Sequence, residues 1–249
     1  MNIGAVIIGD EIMSGKRQDQ HFRYLQQTLA KRGLELSWTI IVGDDNQQLE
    51  RALRYSFAGD DLVFSFGGIG ATPDDRTRQT VAKIAGVALK PHPDAVAEIE
   101  AEYGDIAYPN RILMSYLPSG SRIIPNPVNR VPGFSLFHHH FMPGFPQMAW
   151  PMIEWLLDTH YSHLKNLAPE SEQIILVQHA RESDFIDVMI EIDKNYPQLR
   201  LSSLPHIGHT PHIELSLRGP ELAVFEAMAI LKKAIKATGL SWSDQLTKK

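Results

Sequence analysis

Apolar residues in the first part of the chain alternate between short continuous runs and helix-like spacing. The runs at residues 3–8, 36–42 and from Leu62 onward predict strands. Between them, residues 20–32 and the segment after residue 46 place apolar side chains on one helical face, and a further helix is predicted to end at Gly86. This alternation predicts an α/β fold, a three-layer α/β/α domain with a mostly parallel sheet.

The pattern changes beyond residue 165. A polar connection at residues 165–171 is followed by predicted strands at 174–177, 199–204 and 212–217 and by helices at 183–195 and 221–236. This order predicts a second, smaller α+β domain with an antiparallel strand pair. We therefore place the domains at residues 1–165 and 166–249, and we expect the polar tail at 241–249 to be frayed.

Composition narrows the classes of partner. Of the 249 residues, 43% are hydrophobic and 21% are charged, with a formal net charge of −5 and no cysteine. The lack of a basic run argues against nucleic acid, and the lack of cysteine excludes disulfides and thiolate catalysis within this chain. No apolar run reaches the length of a membrane span, and the amino terminus lacks a signal-peptide pattern, so we expect a cytoplasmic protein without a membrane partner.

The most informative stretch, residues 66–78, reads F-G-G-I-G-A-T-P-D-D-R-T-R. Its glycines allow backbone N–H groups to approach a ligand, and a helix is predicted to begin with Thr72 as its N-cap. A glycine-rich turn from a buried strand to a helix is typical of phosphate binding, although this one matches neither the P-loop nor the dinucleotide signature. We predict that the phosphate-binding residues are Gly67, Gly68, Gly70 and Thr72.

Carboxylates beside this loop point to a cation. Asp74 and Asp75 would repel a bound phosphate by roughly 4 kcal/mol per close pair, which Mg²⁺ or another divalent cation would offset. Asp10 and Glu11 follow the first strand, and the carboxyl ends of parallel strands share one edge of the sheet. We therefore predict that these four residues form one metal and catalytic site. The alternative is that Asp74 and Asp75 only cap the helix.

Histidines and arginines offer further candidates. His138 and His140 would share a face of a strand and could ligate a metal, or the triplet could be an ordinary strand. His206, His209 and His212 cluster in a turn without carboxylates, which favours solvent exposure. Arg76 and Arg78 could clamp a phosphate or pair with the neighbouring aspartates.

Four ordered motifs identify a family. They are G-D-E-I at residues 9–12 with Ser14, Gly15 and Asp19, G-G-I-G-A-T-P-D-D-R-T at 67–77, P-N-P-V at 125–128 with P-G-F at 132–134, and P-G-F-P at 143–146. Together they resemble the first part of the competence/damage-inducible protein A (CinA) family and the molybdopterin-binding domains of molybdenum-cofactor biosynthesis proteins and gephyrin. Residues 166–249 resemble the small middle domain of the CinA family.

The resemblance implies a nucleotide-utilising enzyme. Relatives are linked to divalent-metal-dependent cleavage of the pyrophosphate of ADP-ribose or FAD, with Asn126, Pro143 and Gly144 lining the rest of the pocket. It also implies a homo-oligomer, a dimer or trimer. Longer members end in a nicotinamide mononucleotide deamidase domain, and we expect no deamidation from these 249 residues.

This chain departs from the family pattern at two places. Gln20 and His21 replace the usual Thr-Asn, and Gln147 stands where a glutamate is usual, which leaves three hypotheses open. The first is a metal-dependent pyrophosphatase acting on a nucleotide. The second is a protein that binds or adenylylates molybdopterin, and the third is a non-catalytic nucleotide-binding module.

Overall fold

A computed structural model describes residues 2–165, 170–206 and 211–245. The chain divides into two compact units, Met1–Lys165 and Asn166–Lys249. Most of the predicted connection after Lys165, together with His209 and the last four residues of the tail, lies outside the described residues.

The first unit contains eight strands and six α-helices among its described residues. In chain order they are β1 (Ile3–Ile8), α1 (Asp10–Met13), α2 (His21–Ala30), β2 (Trp38–Val42), α3 (Asn46–Ser56), β3 (Leu62–Phe66), α4 (Thr77–Ala85), β4 (Leu89–Pro91), α5 (Pro93–Tyr103), β5 (Tyr116–Pro118), β6 (Arg122–Ile124), β7 (Gly133–Leu136), β8 (His139–Met142) and α6 (Pro146–Thr159).

The predicted three-layer architecture is confirmed. Six strands form one sheet in the order β2-β1-β3-β8-β7-β6, in which β2, β1, β3 and β8 are parallel to one another, β7 runs antiparallel to β8, and β6 runs antiparallel to β7. Apolar residues of α2 and α6 pack in one buried cluster, and those of α3 and α4 pack in another. The carboxyl ends of β1, β3 and β8 therefore meet at one edge of the sheet, and the amino ends of β3 and β8 meet at the other.

The helix after the glycine loop begins later than the sequence predicts. It starts at Thr77, whose backbone N–H donates to Gly68 O at 2.9 Å and whose hydroxyl donates to Gly67 O at 3.1 Å. Thr72 and Asp75, the residues expected to cap this helix, instead stabilise a turn. Asp75 Oδ2 accepts hydrogen bonds from both the N–H and the hydroxyl of Thr72. The prediction of a helix from Thr72 is wrong, although its cap-like hydrogen bond is present.

The second unit is an antiparallel sheet with two helices. Its elements are β9 (Ser171–Gln178), α7 (Ile186–Asn195), β10 (Arg200–His206), β11 (His212–Gly219), α8 (Glu221–Ala237) and β12 (Trp242–Gln245), and the strand order is β10-β11-β9-β12. The sequence predicts three of these strands, with an antiparallel pair among them, and a frayed tail at residues 241–249. The prediction for the tail is wrong at residues 242–245, where Trp242 lies opposite Val177 and extends the sheet.

Candidate functional site

The glycine loop lines a cleft of about 450 Å³ at the carboxyl ends of β1, β3 and β8. We call it the glycine-loop cleft, and all of the residues predicted to bind phosphate line it: Gly67, Gly68, Gly70 and Thr72. The Thr72 N–H is used by Asp75, and the Gly67 N–H donates to Met142 O. Within the described part of the chain, the N–H groups of residues 68–71 have no hydrogen-bond acceptor, so this stretch of loop holds open donors.

The glycines are required by the packing of the loop itself. Gly67 has φ 104°, and a Cβ there would lie 2.2 Å from the backbone oxygen of Ile8. Gly68 has φ 67°, and its Cβ would lie 2.3 Å from Thr77 Oγ1. The sequence predicts that these glycines allow a ligand to approach the backbone closely. The structure adds a second reason, because the loop also lies against the end of β1 and the start of α4.

Arg78 stabilises this loop through a hydrogen bond to the backbone of Gly70. Its side chain is buried, with 3% of its surface exposed, and its guanidinium donates to the carbonyl oxygens of Gly70, Leu113 and Tyr116. Burial lowers the pKa of Arg78, and the nearby charge of Asp75 opposes that shift. The guanidinium is therefore committed to backbone carbonyls, and the predicted roles of phosphate clamp or surface pairing are wrong for it.

Arg76 does not pair with the aspartates either. It donates from Nε to Pro73 O at 3.2 Å and from a terminal nitrogen to Asp44 O at 3.4 Å. Arg76 therefore links the turn after the glycine loop to the turn after β2.

The predicted carboxylates divide into two groups. Asp10 and Asp75 are occupied locally: Asp10 Oδ1 accepts from Asp44 N–H at 3.0 Å, and Asp75 accepts from Thr72. Asp10 does not line the cleft, whereas Glu11, Asp74 and Asp75 do. The two acidic motifs therefore meet at one edge of the sheet, with Asp10 acting as a clasp between turns.

Asp44 joins the acidic group and was missed by the sequence argument. It lines the glycine-loop cleft, and its Oδ2 accepts from Asp10 N–H at 2.8 Å. Burial raises the pKa of Asp44, and the carboxylates of Asp10, Glu11 and Asp74 raise it further, while the hydrogen bond from Asp10 lowers it. Its place in a turn-forming run, G-D-D-N at residues 43–46, gave no signal beyond that of a turn.

The proline-rich segment supplies another wall. Pro143 and Gly144 line the cleft as predicted, but Asn126 does not. The Asn126 amide donates to Asn129 Oδ1 at 2.8 Å and to Val131 O at 2.9 Å, so it shapes the turn that places those two residues on the cleft.

A second compartment of about 310 Å³ adjoins the cleft and shares Glu11, Arg17 and Phe145 with it. The family departures Gln20, His21 and Gln147 all line this compartment. His21 is buried, stacks on Phe66 with ring centroids 4.3 Å apart, and lies with Nε2 3.1 Å from Gly144 O. Burial lowers the pKa of His21, so a neutral ring that donates to Gly144 is favoured.

The histidine triplet has no free ligand set. His138 is exposed, outside β8, in the connection that precedes it, and His140 is buried between Ser135 Oγ and Tyr161 Oη, each at 2.7 Å. Since both ring nitrogens of His140 are occupied, the structure favours the interpretation of the triplet as ordinary chain over a metal site shared with His138. Within the described residues no group of three or more His, Cys, Asp or Glu side chains is arranged to hold a metal ion, and no helix could cross a membrane.

Comparison with known proteins points to one family. Residues 4–163 match the family described as "Probable molybdopterin binding domain". A competence-damage inducible protein of Halothermothrix orenii is 30% identical over 206 residues, which cover 79% of this chain and 49% of that protein. A protein of Pyrobaculum calidifontis is 25% identical over an alignment of 253 positions, which covers 96% of this chain and 96% of that protein. The chain spans about half the length of the competence-damage inducible and CinA-like relatives that it matches.

A solved structure agrees with this match. The crystal structure of CinA from Thermoplasma acidophilum, described as a protein of unknown function, is similar to 67% of this chain and to 100% of its own chain, with 28% identity and a TM-score of 0.59. The resemblance predicted from the four motifs is thus confirmed. The family match at residues 4–163 extends over the six-stranded sheet and the glycine loop, and the chain belongs to the family of the probable molybdopterin binding domain.

Proposed function

We propose that the first unit binds a phosphate-bearing small molecule of the pterin or nucleotide class in the glycine-loop cleft. The observation that carries this proposal is the run of open N–H groups at residues 68–71 on the wall of the cleft. Consecutive backbone donors form a concave anion site, and this loop is fixed from behind by Arg78 and Thr77. Arg17 also lines the cleft and adds a positive charge.

The charges at this edge imply a divalent cation as part of the complex. Glu11, Asp44 and Asp74 all line the cleft, and they would repel a phosphate held by the loop. Burial raises the pKa of Asp44, and the charges of Glu11 and Asp74 add to that shift. Mg²⁺ commonly binds through one or two carboxylates together with phosphate oxygens of the substrate. The cation would therefore be held jointly by this chain and its ligand, with Glu11 and Asp74 as the protein ligands.

The reaction that these groups best support is cleavage of a pyrophosphate bond. Water would attack one phosphorus atom, the bridging P–O bond would break, and two phosphate monoester dianions and two protons would be released. A cation at this position would stabilise the charge that develops on the phosphoryl oxygens, and a carboxylate would orient the water. ADP-ribose and FAD are the first substrates to test. Family membership favours molybdopterin as the alternative ligand, bound or adenylylated at the same loop.

The test is to measure binding and cleavage on the full chain with each candidate. ADP-ribose, FAD and molybdopterin are titrated by calorimetry with and without Mg²⁺, and products are separated by chromatography. We expect binding to one of them that Mg²⁺ strengthens at least about 10-fold, because the cation bridges like charges. Binding that is equally tight after chelation of divalent ions would contradict the role of the cation, and no binding of any of the three would contradict the proposal.

Substitution of one carboxylate separates the cation from the loop. Asp74→Asn removes one charge from the cleft while keeping the side-chain shape, and we expect it to weaken the Mg²⁺-dependent part of binding about 10-fold. Asp105→Asn is the matched control, because Asp105 is an exposed aspartate outside the cleft. Equal effects of the two substitutions would assign the Mg²⁺ dependence to general charge. Assembly into a dimer or trimer stays a prediction, to be checked by analytical ultracentrifugation.

A further inference from the structure

A separate cavity of about 280 Å³ lies at the amino ends of β3 and β8, at the opposite edge of the sheet from the glycine-loop cleft. We call it the aromatic pocket, and it is lined by Phe57, Gly59, Asp60, Phe137, His138 and His139. A strand of five residues such as β3 spans about 16 Å, so one ligand of ordinary size does not reach both cavities. We propose that the aromatic pocket binds a small organic ammonium ion through the rings of Phe57 and Phe137 and the carboxylate of Asp60.

The rings are arranged as walls at a right angle. The planes of Phe57 and Phe137 differ by 83° with centroids 6.5 Å apart, and Phe57 stacks on His139 with centroids 3.8 Å apart. His139 covers one face of the Phe57 ring, whereas Phe137 is exposed, so a methylated or primary ammonium ion could lie against the Phe137 ring, as such ions do against the rings of aromatic cages. An anion would meet the negative faces of the same rings and is disfavoured.

The charges around the pocket also favour a cation. Asp60 is exposed, and in the described part of the chain it has no ion pair or hydrogen bond with another residue. His139 is 2% exposed, its Nε2 lies 3.1 Å from Ser56 Oγ, and burial lowers its pKa to about 4, so it is neutral at physiological pH. The pocket therefore combines the rings of Phe57 and Phe137 and the neutral His139 with the unpaired carboxylate of Asp60.

The backbone of Phe137 supplies an independent observation. Phe137 and His138 form the two-residue connection between β7 and β8, and Phe137 has φ 54°, in the left-handed region that favours glycine. Its ring is nevertheless 65% exposed, so burial in the core does not explain why a bulky residue stands there. Non-glycine residues held in this region tend to cluster at ligand sites, and here the strained residue is one wall of the cavity.

The first experiment compares a cation with its neutral isostere. The ¹⁵N-labelled full chain is titrated with choline and, separately, with 3,3-dimethylbutan-1-ol, which has the same shape without the charge. The titration is carried out at pH 8. We expect saturable amide shifts confined to residues 57–60 and 136–139, with choline binding about 10-fold tighter than the alcohol. Equal affinities, or no saturable shift up to about 50 mM choline, would overturn the proposal.

Two variants and one control extend the test. Phe137→Leu keeps an apolar side chain without a π face, and Asp60→Asn removes the charge; each is expected to weaken choline binding at least about 3-fold. Phe225→Leu is the control, since Phe225 is also 65% exposed but lies on α8, and it should leave binding unchanged. Unchanged affinity in both Phe137→Leu and Asp60→Asn would refute the assignment.

Phe137→Gly distinguishes a binding role from a structural one. Glycine adopts the observed φ without strain, so we expect a higher melting temperature together with loss of choline binding. A lower melting temperature would mean that the phenylalanine ring stabilises the fold at this position, which would remove the argument from strain.

Discussion

The two ends of β3 and β8 differ in how their polar groups are satisfied. At the carboxyl ends, the glycine loop leaves backbone donors open and Glu11, Asp44 and Asp74 gather beside them. At the amino ends, the polar side chains of β8 are buried with a partner, and the pocket beside them is lined by the rings of Phe57 and Phe137 and by the exposed Asp60. Both ends belong to the same strands. The difference in how their polar groups are satisfied therefore arises from the connections that follow β3 and β8 and from those that precede them.

This difference explains why the histidines of β8 are buried with hydrogen-bond partners whereas the acidic motifs face a cleft. A strand buried on both faces forces its side chains into the core, where His139 and His140 find hydroxyl partners and lose their charge. A loop at the end of the same sheet has no such constraint, and its polar groups face a cleft. Each prediction below alters one side of this comparison.

The largest expected effect is the response of stability to acid. Burial lowers the pKa of His139 to about 4 and that of His140 to about 3, whereas an unfolded histidine titrates near 6.5. As the pH falls below 6.5 the unfolded chain takes up these protons and the folded chain does not, so the free energy of unfolding decreases until the folded-state pKa values are reached. We expect a loss of roughly 2 kcal/mol per histidine between pH 7 and pH 5, measured by urea unfolding.

Substitutions of single histidines test whether the loss of stability at low pH comes from the histidines of β8. His140→Gln should remove roughly 2 kcal/mol of the difference between pH 7 and pH 5, and His163→Gln, at an exposed position, should leave it unchanged. His21, whose pKa burial also lowers, contributes in the same sense as the histidines of β8. Asp44 acts in the opposite sense, because its raised pKa makes the folded state take up a proton more readily. A free energy of unfolding that is constant from pH 7 to pH 5 would show that the histidines of β8 are solvated.

Loss of the guanidinium behind the glycine loop should have the next largest effect. Arg78→Met leaves the carbonyl oxygens of Gly70, Leu113 and Tyr116 without their donor, and we expect a loss of about 3 kcal/mol in the free energy of unfolding. Arg78→Lys should lose less, because one ammonium can still reach some of these oxygens. Arg76→Met is the control, with its long contacts to Pro73 O and Asp44 O, and should lose under about 1 kcal/mol. Equal losses at both positions would show that Arg78 does not fix the loop.

The fold could be predicted from the sequence because its signals are local. The apolar run of β1 has the bounds that were predicted, and Asp45 caps α3 through hydrogen bonds from Gln47 and Gln48. The prediction of a helix start failed where the same residue types are compatible with two local structures. Thr72 and Asp75 make the hydrogen bond of a helix cap inside a turn, since the buried Thr77 fixes the helix start five residues later.

The site could be predicted only in outline. The convergence of the acidic motifs followed from strand order, but the roles of Asp10 and Asp44 depend on a reciprocal pair of hydrogen bonds between two turns. Arg78 could not be assigned either, because its acceptors at residues 113 and 116 lie more than thirty positions away in the sequence. Strand β12 was missed since its single large apolar residue, Trp242, gives no alternating pattern.

A matched pair of glycines isolates the packing of the loop. Gly68 and Gly86 both have φ 67°, but a Cβ at Gly68 would lie 2.3 Å from Thr77 Oγ1, whereas at Gly86 no atom lies within 4 Å. Both Gly→Ala substitutions should lose about 1 kcal/mol from the backbone conformation, and Gly68→Ala should lose about 1 to 2 kcal/mol more from the contact. The measurement is urea unfolding of both variants, and equal losses would show that the loop moves away from α4 without resistance.

The smallest expected effect concerns the clasp between the turns that follow β1 and β2. Asp10→Asn keeps an oxygen that accepts from Asp44 N–H and removes one of the charges that raise the pKa of Asp44, so the free energy of unfolding should change by less than about 0.5 kcal/mol. Asp10→Ala removes the acceptor and should lose about 1 kcal/mol. Because Asp10 does not line the cleft, Asp10→Asn should also weaken Mg²⁺-dependent ligand binding less than Asp74→Asn does. The reverse order would place the cation on Asp10, and would mean that the clasp opens when the ligand binds.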